Sequence, residues 1–333
     1  MAEYKGVLIY GEVVEGRIAS ITKELLGIGR RLASVVDEKL SALLIGNVMG
    51  EAAKEAIAFG ADEVYVVDQP FLATYHSDSY TAVATEVCQR TTPFIFLLGQ
   101  ADIGRDIGPR IAARLMTSLS TDCIDLQIEP DTKLLIQTRP VYGGNAIATL
   151  VYRSARIQMA TVRPKSFSSL NRDDSRSGTI TPMEIEIDAS IIKTKLIERI
   201  KSEGEGIKLE DAEIIVTGGR GIGGADGFNL LRGLAKVLVG AVGATRIPCE
   251  EGWVSSSLEI GQTGKIVAPE LYIAVALSGA SQHLAGCLGA RYIVAINNNP
   301  DANIFKVADF GIVGDYRQAV PVLTEKCREL LTR

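Results

Sequence analysis

Residues 259–283 read EIGQTGKIVAPELYIAVALSGASQH, and the order of turns and apolar residues in this stretch decides the fold. A Gly-Gln-Thr-Gly turn at 261–264 is followed by a break at Pro269 and an apolar run over 271–277. Ser278-Gly279-Ala280 then opens a helix that carries Gln282 and His283. A short apolar run bounded by turn signals on both sides predicts a strand buried on both faces, as in a parallel sheet. Where such a strand ends in small residues just before a helix, free backbone N–H groups and the positive end of the helix dipole meet, an arrangement suited to a phosphate.

The flanking segments extend the pattern. Residues 212–217 predict a strand that runs into the glycine-rich 218–224, and a helix is predicted over 228–239 before a further segment at 239–245. Gly219-x-Gly221-x-x-Gly224 fits the dinucleotide fingerprint as a string of residues. The full fingerprint also needs an acidic residue about 20 positions on to hold a ribose. Here AVGATR at 241–246 places an arginine there, so an ordinary NAD site is incomplete. The turns at 218–224, 242–246, 261–264 and 278–280 are expected to gather at the carboxyl edge of one parallel sheet. Arg220, Thr245, Arg246, Gln262, Thr263, Ser278, Gln282 and His283 would converge there as donors and cations, without a carboxylate nucleophile, a Ser–His–Asp order or a metal set. Such a group suits the holding of an electron-rich, anionic cofactor better than acid–base work.

Upstream, strands at 7–10, 41–45, 63–67 and 93–98 alternate with helices at 18–40, 51–59 and 79–90, the pattern of a parallel sheet covered on both faces. Residues 104–115 form a further helix with Arg110 and Arg114 on one side, either a solvated face or a contact for an anion or partner. Strands at 125–129, 134–138, 146–151 and 157–162 follow without helices between them and predict an antiparallel extension. Residues 165–182 read as a polar strap, 184–188 as an edge strand and 202–206 as a linker. The fold class is therefore α/β, with two doubly wound, mainly parallel-sheet domains over 1–200 and 201–333, the second Rossmann-like.

Composition narrows the function. The chain has 333 residues, 47% of them hydrophobic, enough for two cores, and a net charge of −5 that disfavours nucleic-acid or membrane-surface binding. No apolar run reaches the roughly 18–20 residues of a membrane span, and the start lacks a signal-peptide core, so the expected location is the cytoplasm. Five cysteines at 88, 123, 249, 287 and 327 stand singly, and with only His76 and His283 besides they make no zinc or iron–sulfur set. Redox chemistry would have to come from a bound organic cofactor.

VTGGRG (216–221), VGATR (242–246), GQTGKIVAPELYIAVALSGASQHLAG (261–286), IVAINNNPDANIF (293–305) and VADFGIVGDY (307–316) together resemble the FAD-binding domain of the electron-transfer flavoprotein alpha subunit. GRDIGPRIAARL (104–115) resembles that family's N-terminal domain more loosely. The resemblance implies FAD as cofactor, a heterodimer with a beta subunit, and electron transfer between a flavin-containing dehydrogenase, such as acyl-CoA dehydrogenase of fatty acid β-oxidation, and an acceptor. Flavin-based electron bifurcation is the other role it leaves open.

Residue by residue, it implies the Thr263 hydroxyl near flavin N5, His283 donating toward the N1/O2 edge and Arg246 beside the isoalloxazine. Arg220, Thr245, Gln262, Gly264, Ser278, Ala280 and Gln282 would hold the ring, ribityl chain and pyrophosphate, with Asn297 and Asp315 on the adenosine half. Asp315 is also placed to cap the last helix, expected over 316–331, while Trp253 and Tyr272 read as packing residues. Pro248-Cys249-Glu250 departs from the family's pattern after the VGATR turn. The chain shows no cysteine-rich N-terminal extension, which the ferredoxin-fused variant would carry. The rival readings are a free-standing FAD- or NAD-dependent oxidoreductase, which needs a substrate-side acid or base, and a colourless non-redox nucleotide-binding module.

Overall fold

The computed structural model describes residues 4–144, 146–187, 189–194, 196–198 and 207–331. The chain divides into two compact units, residues 1–141 with 145–198, and residues 142–144 with 199–333. The linker expected at 202–206 lies outside the described residues.

In the first unit, β1 (Val7–Gly11) is followed by the hairpin strands β2 (Val13–Val14) and β3 (Arg17–Ile18), then α1 (Ser20–Val36), β4 (Leu40–Gly46), α2 (Gly50–Ala58), β5 (Glu63–Asp68), α3 (Ser77–Thr91), β6 (Ile95–Gly99) and α4 (Asp102–Arg114). β7 (Leu119–Cys123), β8 (Asp125–Ile128), β9 (Leu135–Val141), β10 (Ala146–Leu150), β11 (Gln158–Val162) and β12 (Thr179–Pro182) complete it. Among the described residues the main sheet has the order β12-β5-β4-β1-β6-β11-β7, with every pairing parallel. β1 (VLIYG) and β6 (IFLLG) are buried along their whole length, because helices cover both faces. Val7 and Ile9 point into one core with Leu25, Leu26 and Leu32 of α1, and Leu8 and Tyr10 into the other with Val83 and Val87 of α3.

Several expectations change here. The helix expected over 18–40 is shorter: Ile18 pairs in the β2–β3 hairpin, and α1 stops where Asp37 takes a left-handed conformation (φ 56°), freeing Leu40 to open β4. Of the strands expected to form an antiparallel extension, β8, β9 and β10 do so. β11 instead lies in the main sheet, parallel to both β6 and β7. The edge strand expected at 184–188 is not formed among its described residues; β12 pairs with β5 instead, and Ile185 packs into the core from irregular backbone.

The second unit is the simpler. β13 (Ile214–Gly218), α5 (Phe228–Val237), β14 (Ala241–Ala244), α6 (Arg246–Glu250), β15 (Leu271–Val275), α7 (Ser281–Leu284), β16 (Tyr292–Asn297), β17 (Phe310–Val313) and α8 (Tyr316–Leu331) follow in order. The sheet order is β14-β13-β15-β16-β17, all parallel. One core lies under Tyr272, Ala274 and Ile293, the other under Val216, Ile273, Phe228 and Leu231. The direction of winding reverses between β13 and β15, and ligands of open α/β sheets bind at such switch points, outside the carboxyl ends of the strands. The register sets Gly218 level with both Ala244 and Val275, so the loops that follow all three strands leave the sheet at one edge.

Among the described residues, no helix is long and apolar enough to cross a membrane, and no cluster of His, Cys, Asp and Glu is arranged to hold a metal ion.

Candidate functional site

The switch point of the second unit opens into a cavity of ≈ 730 Å³. This falls within the range of about 300–1,000 Å³ usual for small-molecule and cofactor sites. Its walls are the turns after β13, β14, β15 and β16 together with the 259–263 turn. Arg220, Thr245, Arg246, Gln262, Thr263, Ser278, Ala280, Gln282, His283 and Asn297 all line it.

Two of the expected residues do not line it. Gly264 forms the back of the 261–264 turn, where an added Cβ would stand 2.4 Å from the Glu259 carbonyl oxygen. Asp315 borders a smaller neighbouring cavity of ≈ 100 Å³, which shares Gly221, Ala276 and Asn297 with the larger one. Its carboxylate accepts from the Arg317 backbone N–H at 2.9 Å and so caps α8.

The walls depend on residues without room for a side chain. A Cβ on Gly219 would meet Leu277 Cβ at 2.4 Å, and one on Gly279, which also has φ +77°, would meet the Ile304 backbone nitrogen at 2.4 Å. The glycine-rich 218–224 segment does not lead straight into a helix as the fingerprint requires. Two short 3-10 turns, Arg220–Ile222 and Ala225–Gly227, intervene before α5. The helix after Ala280 is α7, a single turn of four residues. The dipole at that end is correspondingly small, so anion binding here rests on side chains and individual N–H groups more than on a helix terminus.

The polar side chains fall into two groups. Arg220, Thr245, Gln262 and Ser278 have no side-chain hydrogen bond or ion pair among the described residues, and their donors are available to a ligand. The others are committed to protein partners. Arg246 is half of an ion pair with Glu250, Nε to Oε1 at 2.6 Å, which raises the Arg246 pKa. Asn297 donates from Nδ2 to the Leu277 carbonyl oxygen at 2.8 Å and accepts the Asn299 backbone N–H at 2.9 Å; it shapes the loop with both ends of its amide.

His283 and Thr263 both line the cavity, and their side chains hydrogen-bond within the protein. The buried His283 ring places Nδ1 2.8 Å from the Ile260 carbonyl oxygen and Nε2 2.9 Å from the Tyr272 hydroxyl. A carbonyl only accepts, so Nδ1 carries the ring proton; Nε2 of the neutral ring then accepts from Tyr272. Burial lowers the His283 pKa, against the Ile260 carbonyl and the Glu259 charge, which raise it, and it pushes the Tyr272 phenol well above its ordinary value. Both ring nitrogens are therefore satisfied by the protein. Thr263 likewise donates its hydroxyl proton to Glu259 Oε1 at 2.6 Å.

The sequence reading placed donors and cations at the site without a carboxylate nucleophile, with Asp315 the one acidic residue it named. Glu259 and Asp301 also line the cavity and supply two carboxylates. Glu259 opens the stretch from which the fold was read, and its position four residues before Thr263 was the available signal. A second large cavity, ≈ 810 Å³ in the first unit, carries Arg17, Lys54, Arg172 and Arg176 against Glu15, Glu51, Glu55 and Asp174. Pairs such as Lys54–Glu51 at 2.7 Å and Arg172–Asp174 at 2.8 Å give it the character of a solvated groove.

The donor set and the glycine-walled cradle of the second unit fit an anionic, hydrogen-bonding dinucleotide of FAD size. Comparison with known proteins points the same way. Residues 7–187 match the model of the electron transfer flavoprotein domain, and residues 208–288 match that of the electron transfer flavoprotein FAD-binding domain. The chain is 46% identical over 330 residues to the electron transfer flavoprotein subunit alpha of Thermoanaerobacterium thermosaccharolyticum, covering 99% of this chain and 100% of that protein. It is 43% identical over 331 residues to the subunit of the same name from Megasphaera elsdenii, covering 99% and 98%. Its identity to the LctC subunit of the lactate dehydrogenase (NAD(+),ferredoxin) of Acetobacterium woodii is 37% over 320 residues, covering 96% of this chain and 76% of that one.

Proposed function

The chain belongs to the electron transfer flavoprotein alpha-subunit family, and from that premise we propose that it binds FAD in the cavity of its second unit, pairs with a beta subunit and carries electrons between a flavin-containing dehydrogenase and an acceptor. The observation that carries the reading is the convergence of ten residues, from five separate turns and strand ends, on the cavity at the switch point. When bound, the FAD supplies the ring that accepts and releases electrons. The chain's own residues bind and orient it and set its surroundings.

Arg220 contributes a cation that has no partner among the described residues for the anionic part of the dinucleotide, and Ser278, Thr245 and Gln262 contribute hydrogen bonds uncommitted among those residues. Arg246 adds positive charge at the rim, moderated by Glu250. The neutral His283 ring, held through Tyr272 and Ile260, contributes a fixed surface and a dipole. None of these groups is set out as a substrate-side acid or base, which favours a carrier over a free-standing oxidoreductase.

The test is to mix the chain, co-purified with its partner subunit, with a catalytic amount of an acyl-CoA dehydrogenase and its acyl-CoA, and separately with NADH. Bleaching of the flavin bands by the dehydrogenase system and not by NADH supports a simple carrier between dehydrogenase and acceptor. Failure of both to reduce the flavin would refute it. The likeness to the LctC subunit favours a second reading, electron bifurcation, in which NADH reduces the complex directly and two FAD are found per heterodimer.

A further inference from the structure

The first unit's sheet also has a switch point. β4 and β5 lie on one side of β1, and β6, β11 and β7 on the other, so the winding reverses between β1 and β6. This is the position at which an open α/β sheet takes a ligand, outside the carboxyl ends of its strands. β1 and β6 both end in glycine, Gly11 and Gly99, and Glu12 follows β1 directly. The Glu12 backbone is fixed, its carbonyl accepting the Ala19 N–H at 2.9 Å and the Thr22 hydroxyl at 2.9 Å. The residue is only 7% exposed, and its Oε1 accepts the Gly104 N–H in the first turn of α4 at 3.0 Å. α4 starts after Ala101, whose methyl group cannot cap it. The N–H groups at a helix start call for an acceptor or an anion, and here the chain supplies one from 92 residues away. Burial raises the Glu12 pKa to about 7, the Gly104 N–H lowers it and the Asp102 charge adds to the rise. The carboxylate is thus kept where burial disfavours its charge, so stability alone does not account for its presence.

We propose that the Glu12 carboxylate is an internal anion that closes the first unit's switch point, occupying the place at the start of α4 that a small carboxylate or a phosphate would otherwise take. The contact is autoinhibitory, since its removal opens an anion site. The inference concerns the first unit alone and does not depend on the FAD reading.

The test uses the complex of this chain with its partner subunit at about pH 8, where Glu12 is ionised in the natural chain. The readout is hydrogen exchange at the Gly104 amide. Glu12→Ala removes the anion and leaves a vacancy of side-chain size, whereas Glu12→Gln fills the same space with a neutral acceptor. In Glu12→Ala the Gly104 amide should exchange about tenfold faster, or more, than in the natural complex. Acetate or formate should restore its protection, and acetamide, of the same shape without the charge, should not. The natural and Glu12→Gln complexes should not respond to acetate. Where Glu12→Ala does not assemble, Glu12→Ser, which admits water to the vacated space, carries the same expectations. Gly104 exchange that is unchanged in the small variant, indifferent to acetate, or rescued equally by acetamide would overturn the proposal. So would an equal response to acetate in the natural complex.

Discussion

Acidification should destabilise the second unit through His283, and the effect can be sized from the structure. The ring is buried and neutral, with Nδ1–H on the Ile260 carbonyl and Nε2 accepting from Tyr272, and burial holds its pKa below the ordinary value. In the unfolded chain the ring takes up a proton near its ordinary pKa of about 6.5. A group whose folded pKa is depressed in this way releases its proton on folding, so the unfolded state binds more protons at low pH and stability falls as pH falls through about 6.5. The cost cannot exceed RT ln(1 + 10^(6.5 − pH)), the limit for a native ring that stays neutral, which is below about 0.1 kcal/mol at pH 7.5 and about 1.4 kcal/mol at pH 5.5.

Trp253, the only tryptophan, packs against the second unit's core and reports on that unit alone. Urea unfolding followed by its fluorescence at the two pH values, in the natural chain and in His283→Gln, isolates the contribution. The natural chain should lose more than the variant between them, by up to about 1.4 kcal/mol. Parallel losses would show that the native ring is protonated, and the proton assignment of the Tyr272–His283–Ile260 chain would fall.

Other substitutions test other parts of the structure. Gly219→Ala should push Leu277 and Ala276 into the cavity, lower cofactor retention and cost about 1–3 kcal/mol by overpacking, as read from flavin content and the Trp253 transition. Ala276, at φ 52°, sits in the left-handed region at the cavity wall, and Ala276→Gly should stabilise the unit by up to about 1 kcal/mol; a lower urea midpoint would contradict this. In the first unit, burial raises the Glu12 pKa to about 7, although its carboxylate accepts the Gly104 N–H at 3.0 Å. A raised acid pKa means that stability falls as pH rises from about 4.5 to 7, so Glu12→Gln should slow amide exchange in β1 at pH 8, by an amount corresponding to as much as roughly 3 kcal/mol, and much less at pH 4.

In the second unit β13 and β15 were legible as short, mainly apolar runs bounded by turn residues, which is how a strand buried on both faces must read, while β16 and β17 were not read as strands. β7 was not, because Leu119–Cys123 (LSTDC) has little apolar signal and is only partly buried. β11 was assigned to the antiparallel set because no helix precedes it. In the structure the β8–β10 excursion takes the place of that helix, and the chain returns to pair in parallel between β6 and β7.

At the site, the sequence placed Thr263 and His283 among the ligand-facing residues, with His283 expected to donate toward a ligand, and did not show which protein groups their side chains would meet. Those groups are a carbonyl at Ile260, a phenol at Tyr272 and a carboxylate at Glu259, whose positions follow from turn geometry and sheet register. Tyr272 shows the point most plainly. It reads as a packing residue and is wholly buried, yet its hydroxyl helps to settle the tautomer of His283.

The central claim is that the switch-point cavity of the second unit holds FAD. The most direct measurement is the visible spectrum and flavin count of the chain co-purified with its partner subunit, compared with the same complex carrying Gly279→Val, in which the new side chain would collide with the Ile304 backbone behind the cavity wall. The account predicts flavin absorption bands, with at least one FAD per heterodimer in the natural complex and one fewer in the variant. A colourless natural complex, or a variant that keeps its full flavin content, would contradict it.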